Sequence, residues 1–150
     1  MENKRIVVVS GGFDPVHIGH VRMFKRAKEL GDYLVVIVNN DNWLRTFKKN
    51  GQVFMSEEER VEVVSAFRWV DEVRMTEHVL GGSEYGVADM LEKIKPHIFA
   101  NGGDRKNIED IPEGEACKRL GIEMVFNVGD GGKVQSSSWL VQKSRARNNG

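Results

Sequence analysis

Short apolar runs alternate with longer amphipathic stretches along this chain, and this alternation limits its folds more than any other feature. The runs are rich in β-branched residues and nearly continuous in apolar side chains, as strands covered on both faces are. Strands that alternate with helices indicate an α/β protein built on a parallel sheet. Five strands are predicted, over Arg5–Ser10, Tyr33–Asn39, Glu72–Thr76, His97–Ala100 and Glu123–Asn127.

Apolar residues at helical spacing occupy the stretches between these strands. The first predicted helix covers His17–Leu30, and Gly31 stands where its C-terminus is expected. Ser56 followed by Glu59 forms a capping-box pattern that starts a second helix. Further helices are predicted over Tyr85–Lys95 and Glu113–Leu120, and the last twelve or so residues begin as a helix and end in a polar tail, frayed from about residue 144.

Composition and charge narrow the class of protein. A chain of 150 residues with 40% hydrophobic residues has the usual size of one domain with one core. Its 22 basic and 22 acidic side chains give no net charge, so we expect no nucleic-acid surface, and any phosphate site must be local. The single cysteine, Cys117, excludes an internal disulfide and is expected to be a small half-buried helix residue. The apolar stretch Ile6–Val9 is too short for a signal peptide or membrane span, which predicts a cytoplasmic protein with no membrane partner.

The loop between the first strand and the first helix, residues 10–20, carries the most chemical information. Ligands of open parallel sheets bind at the C-terminal ends of strands, where this loop lies. Gly11 and Gly12 let the backbone approach a phosphate, and the helix N-terminus adds positive potential. His17 and His20 share one helix face, with Gly19 leaving room for a ligand. We therefore predict that both imidazoles donate to one phosphate.

Other phosphate and metal motifs fit less well. The dinucleotide fingerprint is absent, because Pro15 and His17 stand where its later glycines would be. A Walker loop at Lys133 lacks its first glycine and its hydroxyl residue. A zinc site would need a second cluster of ligands, and none is recognisable.

The segment Gly-Gly-Phe-Asp-Pro-Val-His-Ile-Gly-His resembles the H-x-G-H signature of the cytidylyltransferase-like nucleotidyltransferase superfamily. The resemblance runs from Ile6 to about Lys143 and is strongest to the branch with glycerol-3-phosphate cytidylyltransferase and heptose-1-phosphate adenylyltransferase. It implies a Rossmann-like open parallel sheet of about five strands with helices on both faces. It also implies an enzyme that transfers a nucleoside monophosphate from a nucleoside triphosphate to a small phosphorylated alcohol or sugar, releasing pyrophosphate.

The resemblance assigns roles to individual residues. His17 and His20 would stabilise the charge that develops between the α- and β-phosphates, and Gly11, Gly12 and Phe13 would lie against the nucleotide. A lysine after the second strand would bridge the two reacting phosphates, and Lys48 is favoured over Lys49 for that role. Solvated lysines in a turn remain the alternative. Arg60 and Arg105 are the next candidates for binding the acceptor.

Two later segments complete the implied site. Gly102, Gly103 and Asp104 resemble the Gly-Gly-Asp segment that accommodates base and ribose, although a plain turn is the alternative. Ser136, Ser137 and Ser138 resemble the hydroxyl residues that hold the β- and γ-phosphates, although serines there also suit a helix N-cap. The chain departs from the family pattern at Lys133, where an arginine is expected before the hydroxyl residues.

Several choices stay open at this stage. The run from Phe67 to Val73 favours CTP, the Gly-Gly-Asp segment favours ATP and hence a heptose 1-phosphate adenylyltransferase, and we lean to CTP. A non-catalytic nucleotide-binding regulator is the alternative from another class. Mg²⁺ is expected to accompany the triphosphate, and Asp14 is expected to fix the loop rather than to bind metal. The segment from about Trp43 to Phe54 is predicted to be a mobile loop that orders over the acceptor, and a homodimer is left open.

Overall fold

The structure, a computed structural model, describes residues 3–48, 51–102, 111–129, 140 and 143–144. Five parallel strands form one sheet in the order β3-β2-β1-β4-β5. The strands are β1 Ile6–Gly11, β2 Tyr33–Val38, β3 Glu72–Met75, β4 Ile98–Ala100 and β5 Glu123–Val125. The helices are α1 Ile18–Glu29, α2 Asp41–Phe47, α3 Glu57–Ser65, α4 Ala88–Ile94 and α5 Gly114–Leu120. The predicted Rossmann-like α/β fold is confirmed.

The strand order creates one switch point, between β1 and β4. The chain runs from β1 outward through β2 to β3 and then returns to the other side of β1 to form β4 and β5. Val8 of β1 therefore pairs with Val35 on one side and with Phe99 on the other. The loops that follow β1 and β4 diverge at this point and leave the crevice in which open parallel sheets bind ligands.

Two apolar clusters cover the two faces of the sheet. Val7 and Val9 point into the cluster that contains residues of α1 and α3, whereas Val8 points into the cluster that contains residues of α4 and α5. All three valines are fully buried. Side chains of successive strand residues alternate between faces, so a strand covered on both sides is apolar throughout, as the sequence indicated.

Several helix and strand ends differ from the predicted ones for local reasons. β5 ends at Val125 rather than Asn127, because Asn127 has a φ of 53°, which no extended strand allows. α4 begins at Ala88 rather than Tyr85, because the Tyr85 carbonyl accepts a hydrogen bond from the Trp43 indole instead of from the helix. Cys117 is buried rather than half-buried.

The prediction of one loop from Trp43 to Phe54 is wrong over its first part, because Trp43–Phe47 belongs to helix α2. The Asn40 side chain caps this helix by accepting a hydrogen bond from the Trp43 N–H at 3.0 Å. At the other end of the segment, the N–H groups of Phe54 and Met55 donate to the Asp14 carboxylate. The predicted ordering over the acceptor stays a prediction for the residues between these anchors.

No helix within the described ranges is long and apolar enough to cross a membrane.

Candidate active site

The loop after β1 is closely packed where it begins, so that a side chain at either glycine would displace a neighbouring side chain. A Cβ on Gly11 would lie 3.0 Å from the ring of Phe13, and one on Gly12 would lie 3.2 Å from Leu44. Phe13 itself is 2% exposed and has a φ of 53°, a conformation that non-glycine residues adopt only under constraint. The packing thus holds the backbone of this loop in one shape at the switch point.

His17 and His20 form a reciprocal cap at the start of α1. The Gly19 N–H donates to His17 Nδ1 at 3.1 Å, and the His17 N–H donates to His20 Nδ1 at 3.1 Å. A neutral imidazole that accepts at Nδ1 carries its proton at Nε2. The backbone therefore assigns the same tautomer to both rings, with Nε2–H as the donor.

Burial keeps His20 in its neutral form. Desolvation, together with the charges of His17 and Lys48, lowers the pKa of His20 to about 3. Its ring stacks on that of His17 with centroids 3.8 Å apart, and it meets the ring of Phe13 edge-on at 4.8 Å. The expectation that the two imidazoles lie on one face is met, since their rings stack with each Nδ1 bonded to the backbone.

Lys48 follows α2 directly and lies beside this pair. Its Cε is 4.0 Å from the position of a Cβ on Gly12, and its Nζ is 5.9 Å from the centroid of the Trp43 ring. Its charge also contributes to lowering the pKa of His20. The structure therefore brings Lys48 and the histidine pair to the same place, although they come from different loops.

Arg60 does not fit the predicted role in binding the acceptor. Its side chain is 0% exposed and forms an ion pair with Asp41 at 2.7 Å. Its other N–H groups donate to the carbonyl oxygens of Gly12, Asn39 and Met55. Because these protein oxygens accept its hydrogen bonds, the Arg60 guanidinium joins the ends of β1 and β2 to the start of α3.

The carboxylates near the site have internal partners. Asp14 accepts the two backbone hydrogen bonds described above, which agrees with its predicted role of fixing the loop. Within the described part of the chain, Asp41, Glu57 and Glu58 are the one group whose spacing could hold a metal ion. Asp41 is paired with Arg60, and Glu57 accepts from the Asp41 N–H at 2.9 Å, so two of the three already stabilise the protein.

The remaining predicted site residues are only partly described. Gly102 follows β4 at the switch point, and a Cβ there would make an ordinary van der Waals contact with Met23 Sδ at 3.8 Å. The other members lie outside the described residues, namely Lys49, Gly103, Asp104, Arg105, Ser136, Ser137 and Ser138.

An aromatic cluster of Trp43, Phe47 and Tyr85 lies next to Lys48, and sequence reasoning did not find it. The ring centroids are 5.9 Å apart for Trp43 and Phe47, 5.5 Å for Trp43 and Tyr85, and 5.1 Å for Phe47 and Tyr85. The pattern Asn40-Asp41 could have revealed the helix that carries Trp43 and Phe47. Nothing local could have revealed Tyr85, which is 42 residues from Trp43 in the chain.

The fold defines a class: parallel α/β proteins with an open sheet, in which the loop after β1 lies at the switch point where such sheets bind ligands. Residues 8–126 match the family described as "Cytidylyltransferase-like". This chain belongs to that family of nucleotidyltransferases.

Relatives and a solved structure agree with this assignment. The chain is 36% identical to the FAD synthase of Pyrococcus horikoshii over 147 residues, covering 97% of this chain and 88% of the relative. It is 35% identical over 141 residues to the bifunctional protein HldE of Pelobacter propionicus, covering 94% of this chain but 25% of that protein. The chain thus spans about a quarter of the length of that bifunctional relative. The crystal structure of a lipopolysaccharide core biosynthesis protein from Thermoplasma volcanium superposes with a TM-score of 0.63 at 30% identity, covering 83% of this chain and 94% of the other.

Proposed function

We propose that this chain is an adenylyltransferase that transfers AMP from ATP to a small phosphorylated acceptor and releases pyrophosphate. The observation that carries the proposal is the stacked pair of imidazoles, bonded to the backbone at Nδ1, beside the Lys48 ammonium. Transfer of a phosphoryl group needs positioned donors where charge accumulates more than it needs covalent help from the protein.

In this mechanism the acceptor phosphate attacks the α-phosphorus directly, and pyrophosphate leaves on the opposite side. His17 and His20 donate from Nε2 to the oxygen atoms between the α- and β-phosphates, where negative charge grows. Lys48 bridges the incoming phosphate and the α-phosphate, which reduces the repulsion between two anions. The backbone of Gly11 and Gly12 lies against the nucleotide.

The choice of ATP rests on the relatives. FAD contains an AMP unit, so a synthase that makes FAD by nucleotidyl transfer uses ATP, and the HldE proteins contain a heptose adenylyltransferase domain. Both sets of relatives thus favour ATP over the CTP that the run from Phe67 to Val73 suggested. The two sets differ in the acceptor, which is a flavin mononucleotide in one case and a heptose phosphate in the other.

A Mg²⁺ ion bound to the triphosphate would neutralise part of its charge during transfer. In the described ranges, no carboxylate beside the histidine pair is available to hold the ion, because Asp14 and Asp41 have internal partners. We therefore propose that phosphate oxygens and water hold it. The remaining roles assigned by resemblance, those of Gly102, Gly103, Asp104 and Ser136 to Ser138, belong to the same proposal.

The test is a panel of the four nucleoside triphosphates against flavin mononucleotide, a sugar 1-phosphate and glycerol 3-phosphate, read by pyrophosphate release. We expect release with ATP and one of these acceptors, and none with acceptors that lack a phosphate. Release with CTP alone would contradict the proposed base. Tight nucleotide binding without release in any combination would favour the second candidate function, a regulatory nucleotide-binding protein.

A further inference from the structure

We propose that the aromatic cluster of Trp43, Phe47 and Tyr85 binds the body of the acceptor and selects a phosphate ester that carries a flat aromatic ring system. This inference rests on the proposed function, because it concerns the acceptor of the same transfer. It adds the class of acceptor and the residues that distinguish it from a sugar phosphate.

The cluster extends from the place where the acceptor phosphate is proposed to bind. The Lys48 ammonium lies 5.9 Å from the centroid of the Trp43 ring. The centroid of the Tyr85 ring lies 5.5 Å from that of Trp43. Trp43 is 8% exposed, whereas Tyr85 is 41% exposed. In this proposal an acceptor held by its phosphate at Lys48 would contact the partly exposed ring of Tyr85, which adjoins the buried ring of Trp43.

The cluster is held in place before any ligand binds. The Trp43 indole N–H donates to the Tyr85 carbonyl at 2.9 Å, and the Gly81 N–H donates to Thr46 Oγ1 at 2.9 Å. The side-chain amides of Asn40 and Asn42 both donate to the His78 carbonyl at 3.0 Å. Four hydrogen bonds thus fasten the segment after β3 to helix α2 and its cap, so little ordering entropy would be lost on binding.

The aromatic residues form a separate cluster whose innermost member, Trp43, is buried. Neither of the two apolar clusters that cover the sheet includes Trp43, Phe47 or Tyr85. Leu80, in the turn fastened to Thr46, is 59% exposed and adds apolar surface in the same segment. Rings of this kind favour a flat π-system, which stacks at small entropic cost, over a hydroxylated sugar that loses hydration.

A nearby cavity is less suited to the acceptor phosphate. It has a volume of about 320 Å³, and its lining includes Glu84 and Gly86, the neighbours of Tyr85 in the chain. Its lining contains three carboxylates, Glu77, Glu84 and Asp89, against one ammonium, Lys93. This charge repels a phosphate, so Lys48 is the better place for the acceptor phosphate.

The test uses the change Tyr85→Leu, with Tyr33→Leu as the matched control. Tyr33 is the other tyrosine of the chain and lies at the N-terminal edge of β2, far from the loop after β1. Flavin mononucleotide is the probe for a flat acceptor, with binding followed by quenching of flavin fluorescence. Ribose 5-phosphate, measured by calorimetry, is the probe that keeps a phosphate and lacks the ring. ATP affinity is measured in parallel.

We expect Tyr85→Leu to weaken flavin mononucleotide about tenfold, the effect of losing one stacked ring, while Tyr33→Leu leaves it unchanged. Tyr85→Phe should restore binding, because it keeps the ring. The affinities for ribose 5-phosphate and ATP should not change in any variant. If Tyr85→Leu does not fold, Phe47→Leu takes its place with the same expected result.

The proposal is overturned if the wild-type protein does not bind flavin mononucleotide, or if both probes weaken equally in Tyr85→Leu. Equal losses in Tyr85→Leu and Tyr33→Leu would also overturn it, since they would reflect stability alone. Pyrophosphate release with a sugar 1-phosphate but no flavin binding would reject this inference and leave the proposed function intact. Flavin binding at Tyr85 without pyrophosphate release from any triphosphate would reject the proposed function instead.

Discussion

The segments that follow β1 and β3 both lie at the C-terminal ends of the strands, and both contain histidine, yet different contacts hold them in place. In the first, residues 12–20, the two histidines are held by bonds between neighbours, since His20 is three residues from His17 and Gly19 is two. The second, residues 76–87, depends on distant residues, with hydrogen bonds from Asn40 and Trp43 that span 38 and 42 positions.

The histidines of the two segments show what this difference means. His78 is 9% exposed, and its ring nitrogens lie 2.8 Å from Thr76 Oγ1 and 2.9 Å from the Gly86 carbonyl. Its ring thus joins two parts of its own segment. His17 and His20 use Nδ1 for the backbone, which places the donor at Nε2. The partner of each ring nitrogen, rather than the residue type, separates a structural histidine from a candidate for catalysis.

The largest expected effect concerns Arg60, which joins the loop after β1 to helix α2. Changing Arg60 to Met removes the partner of Asp41 and leaves the carbonyl oxygens of Gly12 and Asn39 without their donor. We expect the free energy of unfolding to fall by about 3–5 kcal/mol, as for other buried ion pairs with one partner removed. Urea unfolding measures it.

Arg119 offers the matched control, because its ion pair with Glu92 has side chains that are 60% and 47% exposed. Arg119→Met should change the free energy of unfolding by no more than about 1 kcal/mol. A stable Arg60→Met protein that has lost only acceptor binding would restore the original prediction that Arg60 contacts the substrate.

The second prediction concerns the donors of the loop after β1. In His17→Asn and His20→Asn, an amide oxygen can still accept the capping hydrogen bond, but the Nε2–H donor is lost. We expect kcat to fall by about 10²-fold or more in each, with a smaller effect on ATP affinity, because these donors act on charge that develops during transfer. Steady-state kinetics and calorimetry separate the two.

His97→Asn is the control for this pair. His97 Nδ1 also accepts a backbone hydrogen bond, from the Ile6 N–H at 3.0 Å, but lies at the opposite edge of the sheet. Its kcat should match that of the wild type. Full activity of the His17 and His20 variants would leave these two residues with only a capping role.

The third prediction is a loss of stability in acid that depends on His20. The unfolded chain binds a proton at this residue below about pH 6.5, whereas the folded protein, in which the pKa is about 3, does not. Stability from this group is complete above pH 6.5 and declines as the pH falls toward 3, by up to about 1.4 kcal/mol per unit. Between pH 6.5 and 5 the wild type should therefore lose ~2 kcal/mol more than His20→Asn.

Urea unfolding of both proteins at the two pH values checks this expectation. Parallel pH profiles for the wild type and His20→Asn would show that the imidazole is not desolvated in the folded protein.

The smallest expected effect concerns the segment after β3. Thr46→Val removes the acceptor of the Gly81 N–H, and we expect a loss of about 1 kcal/mol, confined to that segment. Hydrogen exchange of residues 76–87 should become faster, while exchange at the loop after β1 and ATP affinity stay unchanged. Faster exchange in both segments would show that the segments after β1 and after β3 unfold as one cooperative unit.

The sequence by itself determined the parallel α/β class, the succession of strands and helices along the chain, and the position of the loop after β1. Runs of apolar residues such as Leu34–Val38 specify buried strands, and the pattern from Gly11 to His20 predicts a phosphate loop. The apolar runs and the histidine cap rest on interactions within a few residues, so their spacing is visible in the chain. The capping role of Ser56 was predicted for the same reason, and its hydroxyl accepts from the Glu59 N–H at 3.3 Å.

Only the tertiary structure decided the roles of Arg60 and Tyr85. A charged residue in an amphipathic helix is usually exposed, and burial of Arg60 depends on carbonyl oxygens supplied by β1, β2 and the loop before α3. Tyr85 gained its place beside Trp43 because parallel strands bring the segments that follow them to one edge, whatever their distance in the chain. Contacts of this kind depend on the strand order β3-β2-β1-β4-β5, which local spacing does not encode.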